Sequence, residues 1–251
     1  MAENKHTASD LAQMQALPLE AKIRMTKQRI RAWYEYWNGQ VYVSFSGGKD
    51  STVLKHLVDS MYDDVPAVFV NTGLEYPEIQ RFVREVKEGK YECFNTDVEM
   101  LRPEMRFDEV IKAYGYPVIS KQVAGYIEGA KRWKQNNPDG NIEDATVDYK
   151  IMYGKLEHKK KGVPTGEYSK MYDKSKYSFM VDAPFNVSPK CCNVMKKKPI
   201  KKYAKSTNRK PITGQMACES HLRAIAWFKN GCNAFESDEL ISNPLSFWTE
   251  Q

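Results

Sequence analysis

The chain has 251 residues, 41% hydrophobic and 28% charged, with a formal net charge of +6, a balance that suits a globular chain with a real core. No apolar run approaches the roughly 20 residues of a membrane helix. The stretch after Met1 is polar rather than a signal core, which points away from secretion. Five cysteines, an odd number widely spread, argue against a disulfide framework and for a reducing, cytoplasmic setting.

Residues 1–17 are polar and weakly periodic and read as a frayed lead-in to a helical segment, the two together making a region 1–39. From Pro18, Ile23, Ile30, Trp33, Tyr34 and Trp37 mark one side of a helix that Gly39 stops. Its terminal aromatics either pack it on a sheet or offer a base-stacking platform, and packing is the commoner use. Residues 41–45 have the β-branched, apolar character of a buried strand, and Val53, Leu54, Leu57, Val58 and Met61 recur at helical spacing. Between them Ser46-Gly47-Gly48-Lys49-Asp50-Ser51 is a strand-to-helix turn. Glycines there let an anion approach backbone N–H groups. The helix start adds unpaired donors and the positive end of its dipole, and Ser46, Lys49 and Ser51 surround the point: a phosphate cradle. It is not a Walker loop, which needs Ser or Thr after its Lys and a second Gly where Val43 stands.

Residues 66–70 form a second buried strand, running into Asn71-Thr72-Gly73-Leu74-Glu75-Tyr76-Pro77-Glu78. A helix follows, with Ile79, Phe82, Val83 and Val86 on one face. Residues 91–94 read as a third strand that buries Cys93, Pro103 opens a helix, residues 117–120 form a strand or turn, and Lys121 starts the next helix. This alternation predicts an α/β fold: a twisted parallel sheet with helices on both faces. Ligands in such sheets sit beyond the carboxyl ends of the strands, which places residues 46–51, 71–78 and 120–121 along one edge of a core spanning 40–130.

From 131 to 190 apolar periodicity fades and Asn136-Asn137-Pro138-Asp139-Gly140 marks a turn, so this segment reads as a basic, loop-rich insertion. Residues 131–210 hold 20 Lys and Arg against 8 Asp and Glu, or +12, leaving −6 elsewhere. Such a cluster suits a polyanion such as nucleic acid, and equally a solvated surface. Residues 191–251 return to the core domain through a basic helix near 196–206, a short strand at 211–214 and a helix at 219–230 before Gly231. The last residues, with Thr249 as a helix N-cap, end where a helix should begin, as in a shortened chain.

The hexapeptide at 46–51 resembles the PP-loop of the N-type ATP pyrophosphatases. In order, residues 44–51, 69–78, 116–121, 191–199, 212–220, 231–235 and 244–251 resemble blocks of the phosphoadenosine-phosphosulfate reductase family in its broad sense. The resemblance implies an adenine-nucleotide α-hydrolase-like, Rossmann-like fold. It also implies an ATP site built from Ser44, Ser46, Gly47, Gly48, Lys49, Asp50, Ser51, Asn71, Thr72 and Gly73. Asp50 would hold Mg²⁺, Lys49 would stabilise the leaving pyrophosphate, and Lys121 would reach the α-phosphate. Glu75 and Glu78 are either metal or substrate contacts or complements to a helix dipole. Cys191, Cys192 and Cys232 resemble ligand positions that some members use for a four-iron iron–sulfur cluster, with one thiolate missing from the four needed. His221 stands where the family has Arg, with Arg223 two residues on.

Family reductases usually have a degraded loop and a nucleophilic Cys in a C-terminal tail, whereas here the loop is intact and the tail absent. The resemblance therefore implies ATP-dependent adenylyl transfer, releasing pyrophosphate, in sulfur metabolism or as part of a sulfurtransferase, with nucleic acid or a sulfur-carrier protein as partner. Sulfonucleotide reduction and a non-catalytic nucleotide- or nucleic-acid-binding subunit are the alternatives.

Overall fold

The structure, a computed structural model, describes residues 4–160 and 162–250; Lys161 of the lysine run and Gln251 lie outside them. In chain order the principal elements are α1 (Ala8–Gln15), α2 (Leu19–Tyr36), β1 (Val41–Ser44), α3 (Lys49–Asp59), β2 (Ala67–Val70), α4 (Pro77–Lys87) and β3 (Val98–Leu101). Then come α5 (Phe107–Tyr114), α6 (Lys121–Asn136), α7 (Val147–Met152), β4 (Glu157–Lys160) and β5 (Val163–Tyr168). The chain closes with α8 (Lys198–Thr207), β6 (Lys210–Ile212), α9 (His221–Asn230), β7 (Asn233–Ala234) and β8 (Ile241–Ser242). Two compact units result, one from residues 1–103 with 198–251 and one from 104–197. The change of composition at residue 131 falls inside α6, so composition and compactness divide the chain at different places.

The first unit is built on a sheet of order β3-β2-β1-β6-β8-β7. All its pairings are parallel except β7 with β8. Val43 pairs with Ala67 on one side and Ile212 on the other, so β1 is central. All four residues of β2 are buried, as expected of a parallel strand covered on both faces. Side chains alternate across β1. Val41 and Val43 join Ile30 and Trp33 of α2 and Leu54 of α3 in the main core, while Tyr42 meets Tyr203 of α8 with ring centroids 5.3 Å apart. Helices therefore flank both faces of a mostly parallel sheet, a Rossmann-like, adenine-nucleotide α-hydrolase-like arrangement. Among the described residues no helix is long and apolar enough to cross a membrane.

Several boundaries differ from the sequence reading. Residues 91–94 form a turn, and the strand comes later, at β3. Tyr91 and Phe94 turn their rings toward Phe82, which leaves Cys93 exposed rather than buried. The segment is tied to α3 by Lys55, whose buried ammonium lies 2.7 Å from Asp59 Oδ2 and 3.0 Å from the Asn95 carbonyl. The Asn95 amide returns a hydrogen bond to the same carboxylate oxygen. The lead-in is not frayed: α1 has a reciprocal cap, with the Thr7 amide donating to Asp10 and the Asp10 amide to the Thr7 hydroxyl. Leu11 is buried beside Trp227 and Phe247. In the second unit α5 starts at Phe107 rather than Pro103, where the Arg106 amide donates to Glu109.

That second unit has its own small core of Val123, Ala124, Ile127, Ala130, Met152 and Val181 with Val187, so it is more ordered than its composition suggests. The 136–140 turn is present, closed by Gly140 N–H to the Asn137 carbonyl at 3.1 Å. The basic helix appears as α8, preceded by a π-turn at Asn193–Lys197.

Candidate functional site

The glycine turn leaves β1 at its carboxyl end and enters α3 directly. Gly47 has φ +72°, and a Cβ there would lie 2.8 Å from Ile79 Cγ2 and 3.0 Å from Val83 Cγ2. Gly47 therefore meets two demands, a left-handed backbone and close packing on α4. Gly48 is the N-cap of α3 and has no side chain to cap it. The amides of Gly47, Lys49, Asp50 and Ser51 hydrogen-bond to no acceptor among the described residues. The turn holds its shape through hydroxyls instead. Ser51 Oγ donates to the Gly48 carbonyl at 2.9 Å and accepts from the Ser46 amide at 3.2 Å, and the two serine hydroxyls lie 2.9 Å apart. Thr52 Oγ1 also donates to the Gly48 carbonyl. The result is a row of fixed, unspent donors at a helix N-terminus, the arrangement that binds phosphate.

A cavity of about 260 Å³ opens on this row. Its walls are Ser44, Ser46 and Gly48 to Ser51 on one side and Thr213, Gly214, Gln215, Glu219 and Arg223 on the other. It lies between β1 and β6, where the sheet order reverses direction: β2 and β3 extend one way from β1, and β6 begins the other. Crevices at such switch points are where open α/β sheets take ligands. The second wall was the part that residue patterning missed as a site, although its block at 212–220 was visible; only the return of β6 beside β1 brings it to the loop. Gly214 makes that approach feasible, since a Cβ there would stand 2.9 Å from the Asp50 carbonyl oxygen and 3.1 Å from the Ser51 amide nitrogen. In Gly214→Ala we expect urea unfolding to show a loss of about 1–3 kcal/mol from overpacking. At Gly48, with an ordinary φ and the nearest side-chain atom at 3.4 Å, alanine should cost less than about 1 kcal/mol.

Charge in this cavity is partly committed. Arg223 ion-pairs with Glu219, one turn away on the approach to α9, and Glu219 also accepts from the Met216 amide. Lys49 is largely exposed and reaches Glu250 only at 3.9 Å, a contact too weak to hold it. Asp50 lines the cavity as its loop carboxylate, a donor type that suits Mg²⁺ held jointly with phosphate oxygens. His221 is exposed at the start of α9 and does not line this cavity; Arg223 does.

The remaining expected positions divide. Asn71, Thr72 and Gly73 end β2, next to β1, but they do not line the cavity. Thr72 is buried, its amide and hydroxyl donating to the two oxygens of Glu75 at 2.9 and 2.8 Å, while the Gly73 amide donates to Asn71 Oδ1. Glu75 thus braces the turn into α4. Lys121 is exposed at the first position of α6, in the second unit, after the N-cap Ser120.

The cysteine set does not fit a cluster. Cys232 is buried with Trp227 and Phe247, and burial pushes its thiol up. Cys191 and Cys192 have sulfurs 3.9 Å apart, and burial followed by its neighbour's charge likewise raises Cys191. Among the described residues no group of three or more His, Cys, Asp or Glu could hold a metal ion.

Comparison with known proteins matches residues 40–135 to the phosphoadenosine phosphosulfate reductase domain. A phosphoadenosine 5'-phosphosulfate reductase of Cronobacter sakazakii is 31% identical over 77 residues, which is 31% of this chain and 29% of that protein. One of Alkalilimnicola ehrlichii is 36% identical over 62 residues, 25% of each chain. An uncharacterized protein of Methanocaldococcus jannaschii is 37% identical over 89 residues, 35% of this chain and 18% of its own length. The chain thus spans less than a third of the length of these relatives. The matched domain contains β1, the glycine turn and the end of β2, so sequence likeness and site geometry meet at one place. Residues 40–135 thus match the phosphoadenosine phosphosulfate reductase domain, with weak likeness to two reductases of that name.

Proposed function

We propose that the protein binds ATP at the glycine turn and transfers its adenylyl group to an acceptor, releasing pyrophosphate, as a step in sulfur metabolism or sulfur transfer. The observation that carries this reading is the row of four unspent amides, at 47 and 49–51, beside a cavity with Lys49, Asp50 and Arg223 in its wall. Attack at the α-phosphate builds negative charge on the departing β,γ-phosphates. The amides, Ser46, Ser51 and Lys49 are placed to receive that charge where it forms, without reorganising first. Asp50 would hold Mg²⁺ together with phosphate oxygens, and the ion would supply further neutralisation of that charge. Arg223, oriented by Glu219, offers an oxyanion contact on the opposite wall. Thr72, Gly73 and Asn71, at the end of β2 beside the turn, border the adenosine. On this reading the protein works in the reducing cytoplasm, consistent with five free cysteines, and takes sulfur from a carrier protein.

α-Labelled ATP incubated with Mg²⁺ until water serves as a slow acceptor should give AMP and pyrophosphate. ADP and phosphate as the only products, or tight binding with no turnover, would overturn the proposal, the latter in favour of a nucleotide-binding subunit. A second reading, sulfonucleotide reduction, is favoured by the names of the two bacterial relatives. Sulfite release from a phosphosulfate nucleotide with a thiol donor under anaerobic conditions would establish it.

A further inference from the structure

The unit at 104–197 has a surface that the nucleotide site does not explain. It carries 17 Lys and Arg against 12 Asp and Glu, and the excess sits after residue 149, where 11 face 4 up to residue 197. The same stretch exposes large apolar side chains: Met171 is 79% accessible, Phe179 67% and Tyr168 56%. A solvated insertion would hold the lysines without the rings.

Two features give this surface form. The first is the antiparallel ribbon of β4 and β5, in which every residue of β5 and all of β4 but Glu157 are exposed. Neither face has a covering layer, and a bare two-stranded ribbon is marginal in water. Lys159 and Lys160 lie on it opposite Pro164 and Val163, and the Lys155 ammonium sits 4.8 Å from the centre of the Tyr168 ring. The second is a cavity of about 280 Å³ lined by Tyr114, Glu128, Lys131, Arg132 and Lys190, with three cations against one carboxylate. Lys190 bridges to Glu128 at 2.8 Å and lies 5.6 Å from the Tyr114 ring. Lys131 donates to the Ala183 carbonyl, and Arg132 comes no nearer Glu128 than 3.9 Å. The cavity keeps a surplus of two positive charges.

We propose that residues 104–197 form a binding face for single-stranded nucleic acid. In this arrangement Tyr168 and Phe179 stack on bases, while Lys159, Lys160 and the Lys131–Arg132–Lys190 cavity take backbone phosphates. Charge alone would suit any polyanion. Exposed flat rings in a lysine-rich unit, with Lys155 4.8 Å from the Tyr168 ring and Lys176 4.8 Å from the Tyr177 ring, suit a strand whose bases are free to stack, since every base offers a π-face. An acidic peptide has no matching array of rings, and a duplex hides its base faces. The inference stands on this unit alone, so it survives or fails independently of the reading of the glycine turn.

The test is fluorescence anisotropy of the full chain with labelled oligonucleotides of about 20 nucleotides, as deoxythymidine and uridine strands, an abasic strand of equal charge and a duplex. Neutralising about four phosphates predicts that affinity for the single strands falls about 50-fold between roughly 50 and 200 mM salt. The abasic strand should bind at least about 10-fold more weakly, because each stacked base contributes about 1–3 kcal/mol. The exposed double variant Tyr168→Ala/Phe179→Ala should lose about as much on thymidine and nothing on the abasic strand. Lys159→Gln/Lys160→Gln should flatten the salt dependence. Preference for the DNA or RNA strand would identify the source of the ligand. No binding at low salt, or equal binding of the abasic strand or the duplex, would overturn the proposal.

Discussion

In Asp50→Asn and Lys49→Ala, pyrophosphate release from ATP is expected to fall by about 10²–10³-fold, the usual loss when one preorganised stabiliser of transition-state charge is removed. The two variants fail differently. Asp50→Asn preserves shape and the start of α3 but removes the cavity's loop carboxylate, so Mg²⁺ titration should no longer raise nucleotide affinity. Lys49→Ala leaves that carboxylate, so Mg²⁺ dependence persists while turnover is lost. Neither change should cost more than about 1 kcal/mol of stability, because Lys49 is exposed and Asp50 half-buried in the first helical turn, and among the described residues neither side chain has a partner beyond the long Lys49–Glu250 contact. The separation matters: loss of activity with an unchanged urea midpoint assigns these groups to chemistry, whereas a matching loss of stability would reduce them to scaffold. Full turnover in either variant would remove the glycine turn from the mechanism.

Lys55→Met is expected to be the most destabilising single change, at about 3–5 kcal/mol, a large share of the roughly 5–15 kcal/mol that holds a domain together. Lys55 has no exposed surface, and its ammonium joins Asp59 of α3 to the 91–97 segment through Asn95. Deleting one member strands the other charge in the core. Asp59 is already raised above its ordinary carboxyl value, by burial first, with Lys55 pulling it back down, and its Oδ1 has no hydrogen-bond partner among the described residues. Because the folded carboxyl holds its proton more tightly than the unfolded one, the folded state is favoured as pH falls and loses that advantage as pH rises through the folded value. Without Lys55 the upward shift grows. The deficit of Lys55→Met should therefore shrink measurably between about pH 7 and about pH 5 in urea unfolding. Lys55→Met/Asp59→Leu should recover most of the loss at neutral pH, since a well-packed apolar pair can replace a buried ion pair. An unchanged midpoint in the single variant would show that the pair contributes nothing.

These two cases mark where sequence reading works and where it stops. Periodicity and turn chemistry located β1, the glycine turn, α3, β2 and α4 in order, because each is decided by neighbours within one or two turns of chain. The strand-to-helix turn at residues 46–51 was legible for the same reason: adjacent glycines, a helix start and two serines need no distant partner. Thr7 and Asp10 also carried a local signal, a Thr with an acid three residues on, that announces α1. Residues 91–94 were misread because two aromatics resemble a strand until the rings of Phe82 and the buried Lys55 claim the segment.

The opposite wall of the cavity, Thr213 to Arg223, and the role of Gly214 depended on β6 pairing beside β1 across some 170 positions of chain, a contact that no local pattern encodes. Cys232 makes the same point in reverse. As a letter in a motif it resembled a ligand, but only the packing of α9 against α1 and the last residues shows it buried beside Trp227 and Phe247. By itself the sequence determined the glycine turn and the α/β order; long-range strand pairing and burial decided what surrounds that turn and which side chains are buried.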